Sequence, residues 1–203
     1  MSENCPVKVG ETVPDFELET FEPGTLTFGR VSLDEMMKKG KWTVLVFYPA
    51  DYSFVCPTEL ADLAALQEEI AAAGAEIISV STDTKFVHLA WQREERLLKD
   101  VKYRMASDPS GRVCRIFGVY DSKSGLALRG TFIVSPEGIL SASEVNYYNA
   151  GRNAAELLRK IRANVYLAEH SEEACPANWQ PGGKTLSPGT TLVGRVGDSL
   201  KGQ

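Results

Sequence analysis

Thr43-Val44-Leu45-Val46-Phe47-Tyr48-Pro49-Ala50-Asp51-Tyr52-Ser53-Phe54-Val55-Cys56-Pro57-Thr58-Glu59 is the stretch on which the fold turns. Its first six residues form an unbroken, β-prone apolar run, the pattern of a central strand buried on both faces of a parallel sheet. Pro49 ends the strand. Pro57 stands where helices accept proline, at the first helical position, which makes Cys56 the N-cap and puts Glu59 at the capping-box position three residues on. The helix then runs from Pro57 to Ala73, with Leu60, Leu63, Ala64 and Ile70 at helical spacing, and stops at Gly74. A cysteine is thereby set at the carboxyl end of a central strand, where open α/β sheets place their functional sites. Free backbone N–H groups and the positive end of the helix dipole converge there, and both favour a thiolate over a thiol. A lone cysteine is more often a small core residue; the strand-to-helix junction argues for reactivity instead.

Outward from this unit the chain alternates. Phe16 to Glu19 has the pattern of a short exposed strand, with Leu26 to Phe28 as its pairing partner, and Ser32 caps a helix from Leu33 to Lys39 that Gly40 ends. Downstream, Glu76 to Val80 reads as a strand, Thr84 to Lys99 as a helix, Val101 to Ala106 as a strand and Arg112 to Phe117 as a short helix. Thr131 to Val134 and Ile139 to Val145 flank a hairpin turn at Ser135-Pro136-Glu137-Gly138, and Arg152 to Ala168 is an amphipathic helix. Strands alternating with helices imply an α/β fold with a mainly parallel sheet covered on both faces, to which the hairpin adds antiparallel strands. From Cys175 onward glycine and proline crowd the sequence. That tail reads as an extended arm poor in helical pattern. The expected division is a domain over residues 1–170 and an arm over 171–203.

The chain has 203 residues, 43% of them hydrophobic and 24% charged, which fits a globular domain and argues against disorder. The net charge of -5, without a basic block, makes nucleic acid a poor partner. No apolar run approaches the roughly 18 residues of a membrane span, and the first ten residues lack a signal core, so a cytoplasmic location is the simplest expectation. Cys5, Cys56, Cys114 and Cys175 are scattered, with no metal-ligand spacing among them or with His88 and His170, so neither a metal nor a cofactor is expected. Cys114, beside Ile116 and Phe117, reads as core; Cys5 lies near a terminus; Cys175, in a Gly/Pro-rich tail, is oddly placed for a core thiol, which favours a redox role. Trp91, Trp179, Tyr147 and Tyr148 read as packing or interface residues.

The run from Phe47 to Glu59 resembles the active-site segment of peroxiredoxins, above all the typical two-cysteine class in its bacterial alkyl hydroperoxide reductase C-type branch. Val13-Pro14-Asp15-Phe16 resembles the opening of that family, Ser79-Val80-Ser81-Thr82-Asp83 its second strand, and Arg129-Gly130-Thr131-Phe132-Ile133 the segment with the active-site arginine. Glu173-Ala174-Cys175-Pro176-Ala177-Asn178-Trp179 resembles the resolving-cysteine segment, while Val101 to Gly118 fits more loosely. The resemblance implies a thioredoxin-like fold with Cys56 as peroxidatic cysteine, supporting roles for Pro49, Ser53 and Arg129, and a bracing ion pair between Glu59 and Arg152. The family more often has threonine where Ser53 stands; serine keeps the hydroxyl. These residue types suit the chemistry. A thiolate attacks the O–O bond, a guanidinium fork stabilises both thiolate and leaving oxygen, a hydroxyl donates and accepts, and proline, lacking an N–H, shields the sulfur.

The cycle implied is oxidation of Cys56 to a sulfenic acid by hydrogen peroxide or an organic hydroperoxide, then condensation with Cys175 of a second chain. Reduction by an external dithiol follows, from thioredoxin or a dedicated flavoprotein. The family further implies dimers assembled into rings, commonly of ten. Two rival readings stand beside it. Ser53-Phe54-Val55-Cys56 has Cys-x-x-Cys spacing with its first cysteine replaced, which suggests a thiol–disulfide oxidoreductase; a non-enzymatic holdase ring is the other. The peroxide-sensitive members of the family carry a Gly-Gly-Leu-Gly insertion and a C-terminal Tyr-Phe helix. Here Arg96-Leu97-Leu98-Lys99-Asp100 stands at the first place, and the tail after Val196 has glycines unsuited to a helical lid, so resistance to excess peroxide is expected.

Overall fold

A computed structural model of the chain describes residues 5–200. Two compact units are resolved, one ending at Ala154 and one beginning at Ala155. The first unit contains β1 (Glu17–Glu22), β2 (Thr27–Ser32), α1 (Leu33–Lys38), β3 (Trp42–Phe47), α2 (Cys56–Ala72), β4 (Ala75–Ser81), α3 (Lys85–Glu94) and β5 (Arg104–Ser107). It continues through α4 (Arg112–Ile116), β6 (Tyr120–Asp121), β7 (Leu126–Ala127), β8 (Arg129–Val134) and β9 (Leu140–Asn146). The helix α5 (Ala154–Glu169) leads into the second unit, which ends in α6 (Val196–Leu200).

Seven strands form one mixed sheet in the order β2-β1-β5-β4-β3-β8-β9. The sheet is mixed and carries an N-terminal hairpin, as expected, but its parallel part is confined to the centre, where β3, β4 and β5 run parallel; the remaining pairings are antiparallel. The N-terminal hairpin docks on β5, and β8 returns antiparallel beside β3, so the strands outside the α-crossovers are the ones that reverse direction. Every residue of β3 is buried, as an apolar run with sheet neighbours on both sides requires. Phe47 packs against Phe117 and Phe132 with ring centroids 5.4 and 5.6 Å apart, and Cys114 lies in the same core. Burial, followed by the charge of Asp108, pushes the Cys114 thiol up from its ordinary range, which disfavours its thiolate.

The β3–β8 register positions the site. Val46 faces Thr131, so Arg129, two residues before Thr131, falls just past the carboxyl end of β3, beside the chain as it leaves for Cys56. Ser32 caps α1 by accepting the Glu35 amide at 3.1 Å, as its residue type dictates. The helix expected over Thr84 to Lys99 breaks at Glu95 into a short 3-10 turn, Arg96–Leu98. A two-stranded ribbon, β6–β7, leads into Arg129. Its two-residue strands are too short to show a period-2 pattern.

Candidate active site

Cys56 is fully buried, and all four cysteines are free thiols. It is the first residue of α2 and not its cap. Val55 takes the cap position in a helical conformation and offers no side-chain hydrogen bond, so Pro57 sits one place further in. The first turn is satisfied from the backbone instead, with the Thr58 amide donating to the Val55 carbonyl at 3.1 Å.

The capping-box role of Glu59 also gives way. Its carboxylate is 5% exposed and turns to two arginines. Arg152 donates Nε to Oε1 at 2.8 Å, Nη2 to Oε2 at 3.1 Å and its backbone N–H to Oε1 at 2.9 Å. Arg129 donates Nη1 to Oε2 at 2.5 Å. A charge-assisted fork outcompetes a single reach back to a helix amide. Burial pushes the Glu59 carboxyl up, but Arg152 and then Arg129 outweigh it and leave it below its ordinary value. The Glu59–Arg152 pair named from sequence is therefore present. Arg152 itself precedes α5, because its amide serves Glu59, and its Nη1 reaches the Gly130 carbonyl at 2.7 Å and Thr131 Oγ1 at 3.1 Å.

Arg129 joins this pair to the sulfur: Nη1 lies 3.3 Å from Cys56 Sγ. Its Nε donates to the Tyr148 carbonyl at 2.7 Å. The guanidinium is thus fixed at both ends, with a side chain almost wholly buried. Pro49 is buried at the exit of β3. Ser53 is half-buried, and its hydroxyl donates to the Ala50 carbonyl at 2.8 Å, which keeps the loop tight and leaves the oxygen lone pairs available.

Sequence reading missed a second buried group. Tyr48 donates to Asp51 Oδ1 at 2.7 Å, His88 Nδ1 lies 2.7 Å from Asp51 Oδ2, and His88 Nε2 lies 3.2 Å from the Ala106 carbonyl. This network fastens the loop to α3 and β5, and the Asp51 amide adds a bond to Asp83 at 2.9 Å. Burial raises the Asp51 carboxyl, against the lowering effect of His88. Next in the loop, Tyr52 adopts φ 53°, a left-handed conformation costly for a bulky residue, and its hydroxyl is held by Glu94 at 3.1 Å.

In the second unit Cys175 is half-buried. It follows Ala174, which makes a two-way backbone bridge to Leu186 at 2.8 and 2.9 Å. Tyr166 donates to Glu173 at 2.8 Å and packs near Trp179, whose indole N–H donates to the Gly183 carbonyl at 3.0 Å. Burial and then Glu173 push the Cys175 thiol up, with Arg159 acting in the opposite sense. The tail is not wholly extended, since Val196–Leu200 turns into one short helix that buries no residue. Among the described residues, no group of three or more His, Cys, Asp and Glu side chains is arranged to hold a metal ion, and no helix is long and apolar enough to cross a membrane.

Residues 9–143 match the model of the AhpC/TSA family, and residues 166–195 match that of the C-terminal domain of 1-Cys peroxiredoxin. Alkyl hydroperoxide reductase C of Staphylococcus aureus is 44% identical over 188 residues, spanning 93% of this chain and 98% of the relative. The crystal structure of Enterococcus faecalis AhpC is similar with a TM-score of 0.78 and 43% identity, covering 83% of this chain and 98% of that one. The reduced 2-Cys peroxiredoxin of Plasmodium vivax gives a TM-score of 0.86 at 31% identity, covering 92% and 96%.

Proposed function

The chain belongs to the AhpC/TSA family and is a thiol-dependent peroxidase with a peroxiredoxin fold, a peroxide substrate and a reductase partner; on that premise we propose that Cys56 is the peroxidatic cysteine and Cys175 of a second chain its resolving partner. The observation that carries the assignment is the 3.3 Å approach of Arg129 Nη1 to the buried Cys56 sulfur.

In the first step the Cys56 thiolate attacks one peroxide oxygen. The S–O bond forms as the O–O bond breaks, the sulfur is oxidised to sulfenic acid, and the departing alkoxide or hydroxide takes a proton and leaves as alcohol or water. Arg129 stabilises the thiolate and the charge growing on the leaving oxygen. The Ser53 hydroxyl takes the peroxide proton into its hydrogen-bond chain, and Pro49 keeps water from the sulfur. Glu59 and Arg152 hold Arg129 in place and do no chemistry. In the second step the Cys175 thiolate attacks the sulfenic sulfur; the S–S bond forms as the S–O bond breaks, and the leaving hydroxide takes a proton and departs as water, giving a Cys56–Cys175 disulfide. Two thiols of an external dithiol, from thioredoxin or a flavoprotein disulfide reductase, then return both cysteines to thiols by exchange. The residues from 171 onward are the arm that moves in the second step. Hydrogen peroxide and organic hydroperoxides are substrates, the assembly is a ring of dimers, commonly ten chains, and the location is the cytoplasm.

The test is one equivalent of hydrogen peroxide followed by non-reducing electrophoresis. Wild type gives a disulfide-linked dimer; Cys56→Ser and Cys175→Ser lack the 56–175 bridge, and Cys175→Ser traps a sulfenic acid that dimedone captures. Thiol-dependent peroxide turnover surviving in Cys56→Ser overturns the catalytic assignment. A bridge confined to single chains overturns the partner-chain step.

A further inference from the structure

We infer that Tyr148 is a positioning residue for the peroxide reaction, acting as a latch that fixes the catalytic arginine through its own backbone carbonyl. The inference rests on the reading of Arg129 as the group that acts on the Cys56 sulfur.

Tyr148 has two ends with different tasks. Its carbonyl accepts Arg129 Nε at 2.7 Å. Its phenol donates to Asp121 Oδ2 at 2.7 Å and lies 2.8 Å from Ser124 Oγ, which itself donates to the same carboxylate oxygen at 2.9 Å. The phenol and the serine hydroxyl thus each spend their single hydrogen on one carboxylate oxygen at the tip of the β6–β7 ribbon. The Asp121 carboxyl is held below its ordinary range, first by Tyr148, so the acceptor stays ionised at neutral pH. The Lys123 amide fixes the other oxygen at 2.9 Å.

The ribbon matters because β7 ends two residues before Arg129. The phenol therefore ties the loop after β9 to the segment that delivers the arginine, and the arginine's own Nε closes the circuit. Both sides of the Arg129–Tyr148 contact are thus anchored to one small element. Without the latch the Tyr148 ring keeps a tilted contact with Tyr147, at 4.8 Å between ring centroids. Arg129 Nη1 serves Cys56 and Glu59 at once. A guanidinium freed at Nε can rotate wholly toward Glu59, away from the sulfur.

The experiment is the second-order rate constant for hydrogen peroxide with the reduced protein, measured by stopped flow for wild type, Tyr148→Phe, Arg129→Ala and the double variant. Tyr148→Phe keeps the ring and the carbonyl and removes only the hydroxyl. It should slow the reaction about tenfold, the scale of one charge-assisted hydrogen bond. Arg129→Ala should slow it further, and the double variant should be no slower than Arg129→Ala alone, because a residue acting through another has no effect once that other is gone. Asp121→Asn keeps an acceptor and should retain most of the rate, while Asp121→Ala should match Tyr148→Phe. These exposed-side changes also cover the case of a Tyr148 variant that folds poorly. A full wild-type rate in Tyr148→Phe and Asp121→Ala, with Arg129→Ala slow, overturns the latch and leaves the role of Arg129 standing. Losses that multiply in the double variant overturn it too. A wild-type rate in Arg129→Ala overturns both.

Discussion

Replacing Arg152 by methionine keeps an unbranched stem and removes the guanidinium. The variant loses the Nε and Nη2 bonds to Glu59 and the Nη1 bonds to Gly130 and Thr131. What remains is a carboxylate 5% exposed, served by one backbone amide and by Arg129. Breaking a buried pair from one side costs about 3–5 kcal/mol, against about 5–15 kcal/mol for a whole domain. The variant should therefore fold and yet lose a large share of its stability. The loss has a pH signature. In the wild type the Glu59 carboxyl lies below its ordinary 4.5, because Arg152 and Arg129 outweigh burial. A folded-state value below the unfolded one gives stability that is fully present above the unfolded value and fades as pH falls through the folded value. In Arg152→Met burial is opposed by Arg129 alone, so the carboxyl moves up and that contribution shrinks. The gap between wild type and variant should be widest at neutral pH and narrow as pH drops below about 4.5. Urea unfolding across that range measures it. A gap under about 1 kcal/mol at neutral pH, or one that does not narrow in acid, refutes the reasoning.

Disulfide formation after one equivalent of peroxide should quicken steadily from neutral to alkaline pH, because burial and Glu173 hold the Cys175 thiol above its ordinary 9.0 and only its thiolate attacks. Glu173→Gln should move the rise to lower pH, and a rate flat across that range would remove Cys175 from the step. The enzyme should also resist excess peroxide. The last helix of the arm, α6, buries no residue, so opening at that end is cheap and Cys175 should win the race against a second oxidation. Mass spectrometry of Cys56 during turnover reads this directly; substantial sulfinic acid at sub-millimolar peroxide would defeat it.

The strand, turn and helix around Cys56 were legible because each carries a local signal: an apolar run, two prolines, a helical period. Sheet order was less so. The reversal of β8 beside β3 depends on partners more than eighty residues apart, as Val46 and Thr131 show, and no local pattern encodes that register. Glu59 does not close a capping box because the cap is Val55, four residues earlier, and its carboxylate turns to Arg129 and Arg152 instead. The start of α5 came late for the same reason, since the Arg152 amide is spent on Glu59. His88 and Asp51 are 37 positions apart; the available hint was a histidine on the buried side of α3, a common structural placement. Tyr148 read as packing because its distinguishing contact is made by a backbone carbonyl, which every residue has.

The buried loop network has one further consequence. The Ala106 carbonyl can only accept, so His88 Nε2 must carry a hydrogen. Between Nδ1 and Asp51 Oδ2, 2.7 Å apart, one more hydrogen must sit, whether imidazole or carboxyl owns it. Both side chains are shut away from solvent, so neither atom trades hydrogen with water unless the segment from Pro49 to Ser53 lifts from α3. The lifetime of that single nucleus is therefore a stopwatch for the breathing of the reactive loop, running inside every molecule whether or not peroxide is present.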